Sequence, residues 1–356
     1  MLRRRVSRLA GLIGAICVAS VSSAHHSSTT FYDYDNFIEF EGEVTRVLWR
    51  NPHVQFSIMR TLEDGTREEW LADSASVNSL QRGGFDRQLV SEGDAVRVYG
   101  PVSRQGLKAI RAINLMLPSG QEYLMMAGQG VGFRWSEDAQ RVRGGQLPVP
   151  EAADGAAEPE GIFRVWSPGT DIRTLERAAM RPLALTEAAL ARRDAWDPLV
   201  DDPGLACTQQ GMPGIMMNPF PIQFIEGDGV ILLRTEEWDV ERTIHMDPSA
   251  EPPAESSHLG FSAGRWEGNT LIVETSLIGW PYYDDRGTPQ SPDVHVVEHF
   301  TLSDDATRLD YVQTATDPAN FPEPLVDEFF WIWVPGEEVK PYECALWEPA
   351  DSSGNN

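Results

Sequence analysis

Apolar and polar positions alternate in short runs along most of this chain, and few stretches show helical spacing. Ile38, Phe40, Val44 and Val47 open a first strand that runs to Trp49, where Asn51–Pro52 breaks it. Across residues 53–59, Val54, Phe56 and Ile58 share one face and His53, Gln55 and Ser57 the other, the period of a half-buried strand. Asp64–Gly65 is a hairpin signal, and a third strand is expected over residues 68–72. Residues 76–82 are spaced as one short helix, with Val77 and Leu80 inward and Gly83–Gly84 ending it. Residues 94–100 and 108–117 supply strands four and five, joined through Arg104, Gln105 and Gly106. Three strands, a helix and two strands is the order of a five-stranded OB-like barrel.

Residues 137–160 are rich in Gly, Pro, Ala and Glu, with almost no large apolar residue after Leu147 and Val149, and read as a flexible linker. The second half opens with a strand-like segment at 162–166 and a helix at 187–193 capped by Thr186. Beyond Phe220 the pattern is strand after strand: 222–225, 230–234, 238–246, 259–262, 270–276, 294–302, 309–316 and 328–334. Trp266, Glu267, Gly268 and Asn269 form a tight turn between two of them. Short turns between successive strands predict an antiparallel meander, curled or closed, with minor helix. The fold class is therefore mainly β. The expected division is a leader at 1–24, an OB-like barrel at 25–136, the linker, a β-rich domain at 161–349 and a disordered tail at 350–356.

The first residues change the picture. Met1 to Arg8 carries four arginines, an apolar run of 13 residues follows from Leu9 to Val21, and Ser22, Ser23 and Ala24 supply a small-residue cleavage site. This is the layout of a secretory signal, and it predicts a periplasmic or secreted protein that starts at His25. The run is too short to span a bilayer as an ordinary helix, so no membrane insertion is expected after cleavage. Ile16 ahead of Cys17 spoils a lipoprotein-type box, so no lipid anchor is expected. In an oxidising compartment Cys207 and Cys344 most simply pair with each other. Without the leader, 25 basic residues face 54 acidic ones, a net charge near −29 that argues against a nucleic-acid partner.

The run His25–His26–Ser27, an acidic-aromatic stretch, Glu41–Gly42–Glu43–Val44 and Trp49–Arg50–Asn51–Pro52–His53 resembles a family of uncharacterised exported bacterial proteins. The resemblance covers roughly residues 24–124 and implies export and a small β-barrel domain of unknown function. The second half is similar to another group of uncharacterised secreted proteins. It does so through Ala195–Trp196–Asp197–Pro198, Asp202–Pro203, Cys207 and Gly211–Met212–Pro213. Gly264–Arg265–Trp266–Glu267–Gly268–Asn269–Thr270–Leu271, Val296–Val297–Glu298 and Tyr342–Glu343–Cys344 continue the likeness. His299 departs from it, standing where a basic residue such as arginine is expected. Neither resemblance implies an activity.

Four constellations carry candidate chemistry. A terminal amine with the imidazoles of His25 and of His26 or His53 would form a T-shaped three-nitrogen site suited to copper, and imidazole also suits zinc. Asp33 and Asp35 are candidate outer partners, although such acids are more often solvated. His295-Val296-Val297-Glu298-His299 spells H-x-x-E-H, but that metalloprotease pattern needs a helix, and the flanks here are strand-like. His245, Asp247, His258, Glu267 and Glu298 would support acid–base work only if one pocket gathered them, and His258, His295 and Glu298 are the weak catalytic candidates. Finally, Phe329, Trp331 and Trp333 share a strand face, a core face or the wall of a small-molecule pocket.

No nucleophile elbow, phosphate loop or dinucleotide fingerprint is present in the sequence. The reading that results is an exported binding or accessory protein with copper at His25, His26 and His53. The rival is an enzyme or carrier acting on a small apolar molecule in the C-terminal β domain.

Overall fold

A computed structural model of the chain describes residues 28–125, 132–135, 141–143, 161–169 and 181–345. The leader, His25 and His26, most of the expected linker and the expected tail lie outside these residues.

Strand β1 (Tyr32–Leu48) is the spine of the first barrel. It begins six residues ahead of the first apolar alternation, directly after the short helix α1 (Ser28–Phe31), because Phe31 and Tyr32 are themselves core residues, 1% and 0% exposed. β1 pairs with β2 (Gln55–Thr61), β2 with β3 (Arg67–Asp73), and β3 runs parallel to β5 (Ala109–Arg111). β4 (Ala95–Ser103) pairs with both β5 and β1 and closes the barrel in the order β1-β2-β3-β5-β4. Helix α2 (Val77–Arg82) joins β3 to β4, and its N-cap Ser76 accepts from the backbone N–H of Ser79 at 3.1 Å. This is the OB arrangement that the order of elements predicts. Val54, Phe56, Ile58, Leu80, Val98 and Ile110 fill its interior. Each contributes roughly 1.5–3 kcal/mol of apolar burial. Gly100 is obligatory at the closing seam: a Cβ there would stand 1.8 Å from the carbonyl oxygen of Arg111.

The expected fifth strand is divided. β5 ends at Arg111, and β6 (Asn114–Met116) pairs instead with the other end of β4. Two further strands extend that edge, β7 (Glu122–Leu124) and β8 (Arg141–Arg143), which run parallel to each other. β8 falls inside the expected linker, so the first sheet reaches further along the chain than composition suggested.

The second domain is a closed nine-stranded barrel. Its strands are β10 (Ile222–Glu226), β11 (Val230–Thr235), β12 (Val240–His245), β13 (Phe261–Glu267), β14 (Thr270–Ser276), β15 (His295–Leu302), β16 (Arg308–Thr316) and β17 (Leu325–Ile332). The short β9 (Val165–Pro168) zips β17 to β10. The meander has one exception, since β12 and β13 pair in parallel across only two residues. Helix α3 (Glu187–Ala195) takes Thr186 as its cap, as the sequence predicts. Trp331 is buried to 1% and packs with Phe300, Tyr311 and Phe329, so the inward face of the aromatic strand is core. Phe330, on the outward face, lies under the Arg308 guanidinium at 3.7 Å.

The barrel interior also holds charge. Arg242, buried, donates to both carboxylate oxygens of Glu298, to Ser262 at 2.9 Å and to Thr275 at 2.7 Å. Tyr311 adds its hydroxyl to Glu298 at 2.9 Å. Burial lowers the guanidinium pKa but Glu298 more than offsets it, and the net shift is upward.

After β17 the chain forms a strap, residues 335–345, that lies against the first barrel. Asn51 bridges to Cys344, and the backbone N–H of Ala345 returns to the Asn51 carbonyl at 3.2 Å. Asn78 donates to the Pro341 carbonyl at 3.2 Å, and Arg82 reaches Glu337 at 3.0 Å and both oxygens of the buried Glu236. Cys344 forms a disulfide with Cys207, as expected, and so ties the strap to the loop that precedes the second barrel.

Candidate functional site

His53 sits just ahead of β2, not within it as alternation suggested, because Pro52 and the Asn51 bridge occupy the preceding positions. Its imidazole is 12% exposed, and Nδ1 lies 2.8 Å from Oδ2 of Asp73, which is 1% exposed at the end of β3. Arg111 donates to the same oxygen at 2.6 Å and to the Ser74 carbonyl at 2.6 Å. Gln55 donates to the other carboxylate oxygen at 3.3 Å. Nη1 of Arg111 also lies 3.2 Å from Nδ1, so this nitrogen sits between a carboxylate that can accept its proton and a guanidinium that can donate to it. With the proton on Nδ1, toward Asp73, the ring's lone pair is on Nε2. A carboxylate behind a histidine is the usual support of a metal-ligating imidazole, fixing its tautomer and its orientation.

Tyr32 completes this corner. Burial, then the Asp73 charge, pushes its phenol well above the ordinary value, and Arg111 opposes the shift. The Tyr32 ring is buried and packs edge-on against Phe31, with centroids 4.8 Å apart. Asp33 pairs with Arg104 at 3.2 Å and accepts the backbone N–H of Asp35 at 3.3 Å. The carboxylate found against His53 is that of Asp73, for which the sequence offers little signal. The only signal for it was a carboxylate at the inward end of a strand, next to the buried Ala72. Among the described residues no group of three or more His, Cys, Asp or Glu side chains could hold a metal ion.

The weak catalytic candidates do not converge. On β15, Glu298 points inward to Arg242, while His295 and His299 point outward, as strand alternation requires. His295 stands 3.8 Å from Glu274 on the surface. His258 is exposed and packs edge-on against Trp280, with centroids 4.9 Å apart. His245 stacks on Phe261, Asp247 caps its own turn through Ser249, and Glu267 pairs with Arg265.

The second domain does carry a cavity of about 460 Å³, solvent at its mouth included. Aromatic walls come from Trp196, Trp238, Trp280 and Tyr282, and polar groups from Asp202, Thr208, Gln210, Asn218, Glu237, Asp284 and Asp285. The lining is mixed, in contrast to the apolar pocket expected of this half. Several of these residues belong to the motifs that carry the second resemblance, and the disulfide at Cys207 fixes the loop between Gly204 and Thr208. Trp238 adopts a left-handed backbone, φ +64°, and Asp239 follows at +51°. For such residues this conformation costs of order 1–3 kcal/mol each. Trp196 lies over Gly287, where any Cβ would stand 2.2 Å from the indole.

Glu237 is the unusual acid of this cavity. It is 8% exposed, accepts from Asn218, and has no Lys or Arg partner among the described residues. Burial, then Asp285, pushes its pKa up to about 8, while hydrogen bonds from Asn218 and Tyr342 pull it down.

Comparison with known families gives one match: residues 14–110 are similar to a family of unknown function (DUF6152). The matched span runs from ahead of β1 into β5, His53 and Asp73 included, and stops short of the second barrel. No curated protein matches the chain.

Proposed function

We propose that this chain is an exported, non-catalytic accessory protein that holds a nitrogen-ligated metal ion, copper by preference, at His25, His26 and His53. The leader's charge and cleavage pattern support export, and cleavage at Ala24 makes the His25 amine available as a ligand. The second barrel is read as a separate secreted module joined to the first.

The observation that carries the metal reading is the pairing of His53 with Asp73. The carboxylate orients the imidazole, Arg111 and Gln55 orient the carboxylate, and the assembly is buried at the foot of β1. Five residues lie between His26 and Tyr32, and four of them form α1 (Ser28–Phe31), so the described chain starts within two residues of His26. The metal reading requires the segment ahead of α1 to bring the His25 amine to His53. An amine and two imidazoles would supply three nitrogens in one plane, a geometry that suits copper(II) better than tetrahedral zinc.

Calorimetric titration of copper(II) and zinc(II) into the mature protein, beside His53→Ala and Asp73→Asn, tests this reading. One equivalent of copper bound, at least about tenfold more weakly in Asp73→Asn and weaker again in His53→Ala, is the expected result. Absence of stoichiometric binding overturns it.

A further inference from the structure

We propose that the Cys207–Cys344 disulfide is a redox clasp on the His53–Asp73 corner, which is braced only while the disulfide is closed; its bearing on copper rests on the metal reading above. The two cysteines belong to two segments of the second half that touch the first barrel on either side of this corner. On one side Leu199, shortly ahead of Cys207, packs against the buried cluster of Phe31, Tyr32 and Ala109. Tyr32 is the residue whose phenol feels the Asp73 charge, and Asp73 is the carboxylate that meets His53 at 2.8 Å. The link from Leu199 to Cys207 is stiff. The Val200 N–H donates to the Asp197 carbonyl at 3.0 Å, and Asp202 caps the 3-10 turn Pro203–Ala206 through the Gly204 N–H at 2.8 Å.

On the other side the strap ends at Asn51, two residues before His53. Cys344 bridges Asn51, the Ala345 N–H reaches the Asn51 carbonyl at 3.2 Å, and the Asn51 amide donates to the Tyr342 carbonyl. His53 lies ahead of β2, outside the strand ladder, and the chain enters it from Asn51 through Pro52. The middle of the strap has its own hold on the second barrel, since Asp239 accepts from the Tyr342 and Glu343 N–H groups at 2.9 and 3.3 Å. Beyond it, Cys344 and Ala345 are the residues that meet the Asn51 backbone, and the disulfide is what ties that end to the loop carrying Leu199. One covalent bond therefore joins the two arms that flank His53 and Asp73.

Both cysteines are partly exposed, so a thiolate can reach the bond. Opening is thiol–disulfide exchange with an external dithiol. One thiolate of the dithiol attacks a cysteine sulfur, the S–S bond breaks, and the second resolves the mixed disulfide. Cys207 and Cys344 leave as thiols, and the dithiol is oxidised to a disulfide. For an exported chain, this places bracing of the corner after transfer to an oxidising compartment.

The test reads the His53 imidazole of the metal-free mature protein by nitrogen-15 NMR at neutral pH, with the disulfide intact and after reduction by dithiothreitol. On reduction the ratio of Nδ1–H to Nε2–H forms is expected to fall at least about fivefold, the worth of one hydrogen bond, while β14–β16 amides stay protected from exchange. If those amides lose protection, the reading is taken instead from Leu199→Ser with its disulfide intact, where a fall in the same ratio is expected. Whichever form is read, an unchanged ratio overturns the clasp. Copper(II) is then titrated into the parent and into Cys207→Ser/Cys344→Ser. Binding about tenfold weaker in the serine variant is expected, and equal binding overturns the clasp. A parent that binds no copper fails the metal reading alone, and the imidazole ratio still decides the clasp.

Discussion

The side-chain amide of Asn51 donates to the backbone carbonyl of Tyr342, so a residue two places before His53 holds the strap whose Tyr342 ring packs against Trp238 of the second barrel. Asn51 also accepts from the backbone N–H of Val77 at 2.8 Å and donates to Asn78 at 3.2 Å. It is 5% exposed and every one of these groups is at the seam between the barrels. Asn51→Ala would leave the Val77 N–H and the Tyr342 carbonyl unmet. A loss of about 2–4 kcal/mol in urea unfolding is expected, from two orphaned buried groups. A change within about 0.5 kcal/mol would show that the strap is not held there.

Arg82 and Glu236 make the second tie across that seam. Glu236 is fully buried, accepts from both terminal nitrogens of Arg82, and also takes the backbone N–H of Lys340 at 2.9 Å. Arg82→Met leaves a buried carboxylate without its partner and should cost about 3–5 kcal/mol. Adding Glu236→Gln removes the uncompensated charge and should return a measurable part of that loss. Double-mutant analysis of unfolding free energies checks both statements, and additivity of the two changes would contradict the pairing.

Glu237 sets a pH dependence whose sign follows from its shift. Its folded pKa, about 8, is above the ordinary value of 4.5, so between these limits the native state keeps a proton that the unfolded chain has lost. Stability is then greatest below the unfolded pKa and falls as pH rises toward 8, by at most ~1.4 kcal/mol per pH unit. Glu237→Gln should flatten urea midpoints measured from pH 5 to pH 8. An unchanged slope in the variant would assign the dependence to other groups.

The Cys207–Cys344 disulfide closes a loop across 137 residues. Chain entropy sets its contribution at up to about 5 kcal/mol. Its reduction should lower Tm and also loosen the strap. Hydrogen exchange is expected to quicken at Tyr342 and Ala345 before it does so in β14–β16. Uniform quickening would mean the strap does not open separately.

Much of this architecture is legible in the sequence because strand periodicity states it directly. Val54, Phe56 and Ile58 are buried as alternation requires, and β14 has the expected bounds. Leu80 and the Ser76 cap place α2 where its spacing puts it. The misses have identifiable causes. Tyr32 and Phe37 begin and continue β1 across a register shift between Asp33 and Phe37, which a period-two reading cannot follow. β8 is built from Arg141, Val142 and Arg143, residues whose composition gives no strand signal.

The candidate site was legible only in part. His53 stands out as a histidine after Asn-Pro, but Asp73 and Arg111 approach it through the β3–β5 pairing, a contact that no local pattern encodes. The cavity draws on residues between Trp196 and Asp285 that only closure of the barrel brings together. H-x-x-E-H shows the converse. Its spacing suggests a metal site on paper, and a strand backbone sends Glu298 and the histidines to opposite faces.

The most direct test of the metal reading compares copper(II) affinity of the mature protein with that of the same protein acetylated at the His25 amine. Acetylation removes the terminal amine as a ligand and leaves every side chain, His53 and Asp73 included, in place. The account predicts one tightly bound copper in the mature form and a loss of at least about a hundredfold in the acetylated one, or ~2.7 kcal/mol. Equal affinity of the two forms, or no stoichiometric binding by either, would contradict it.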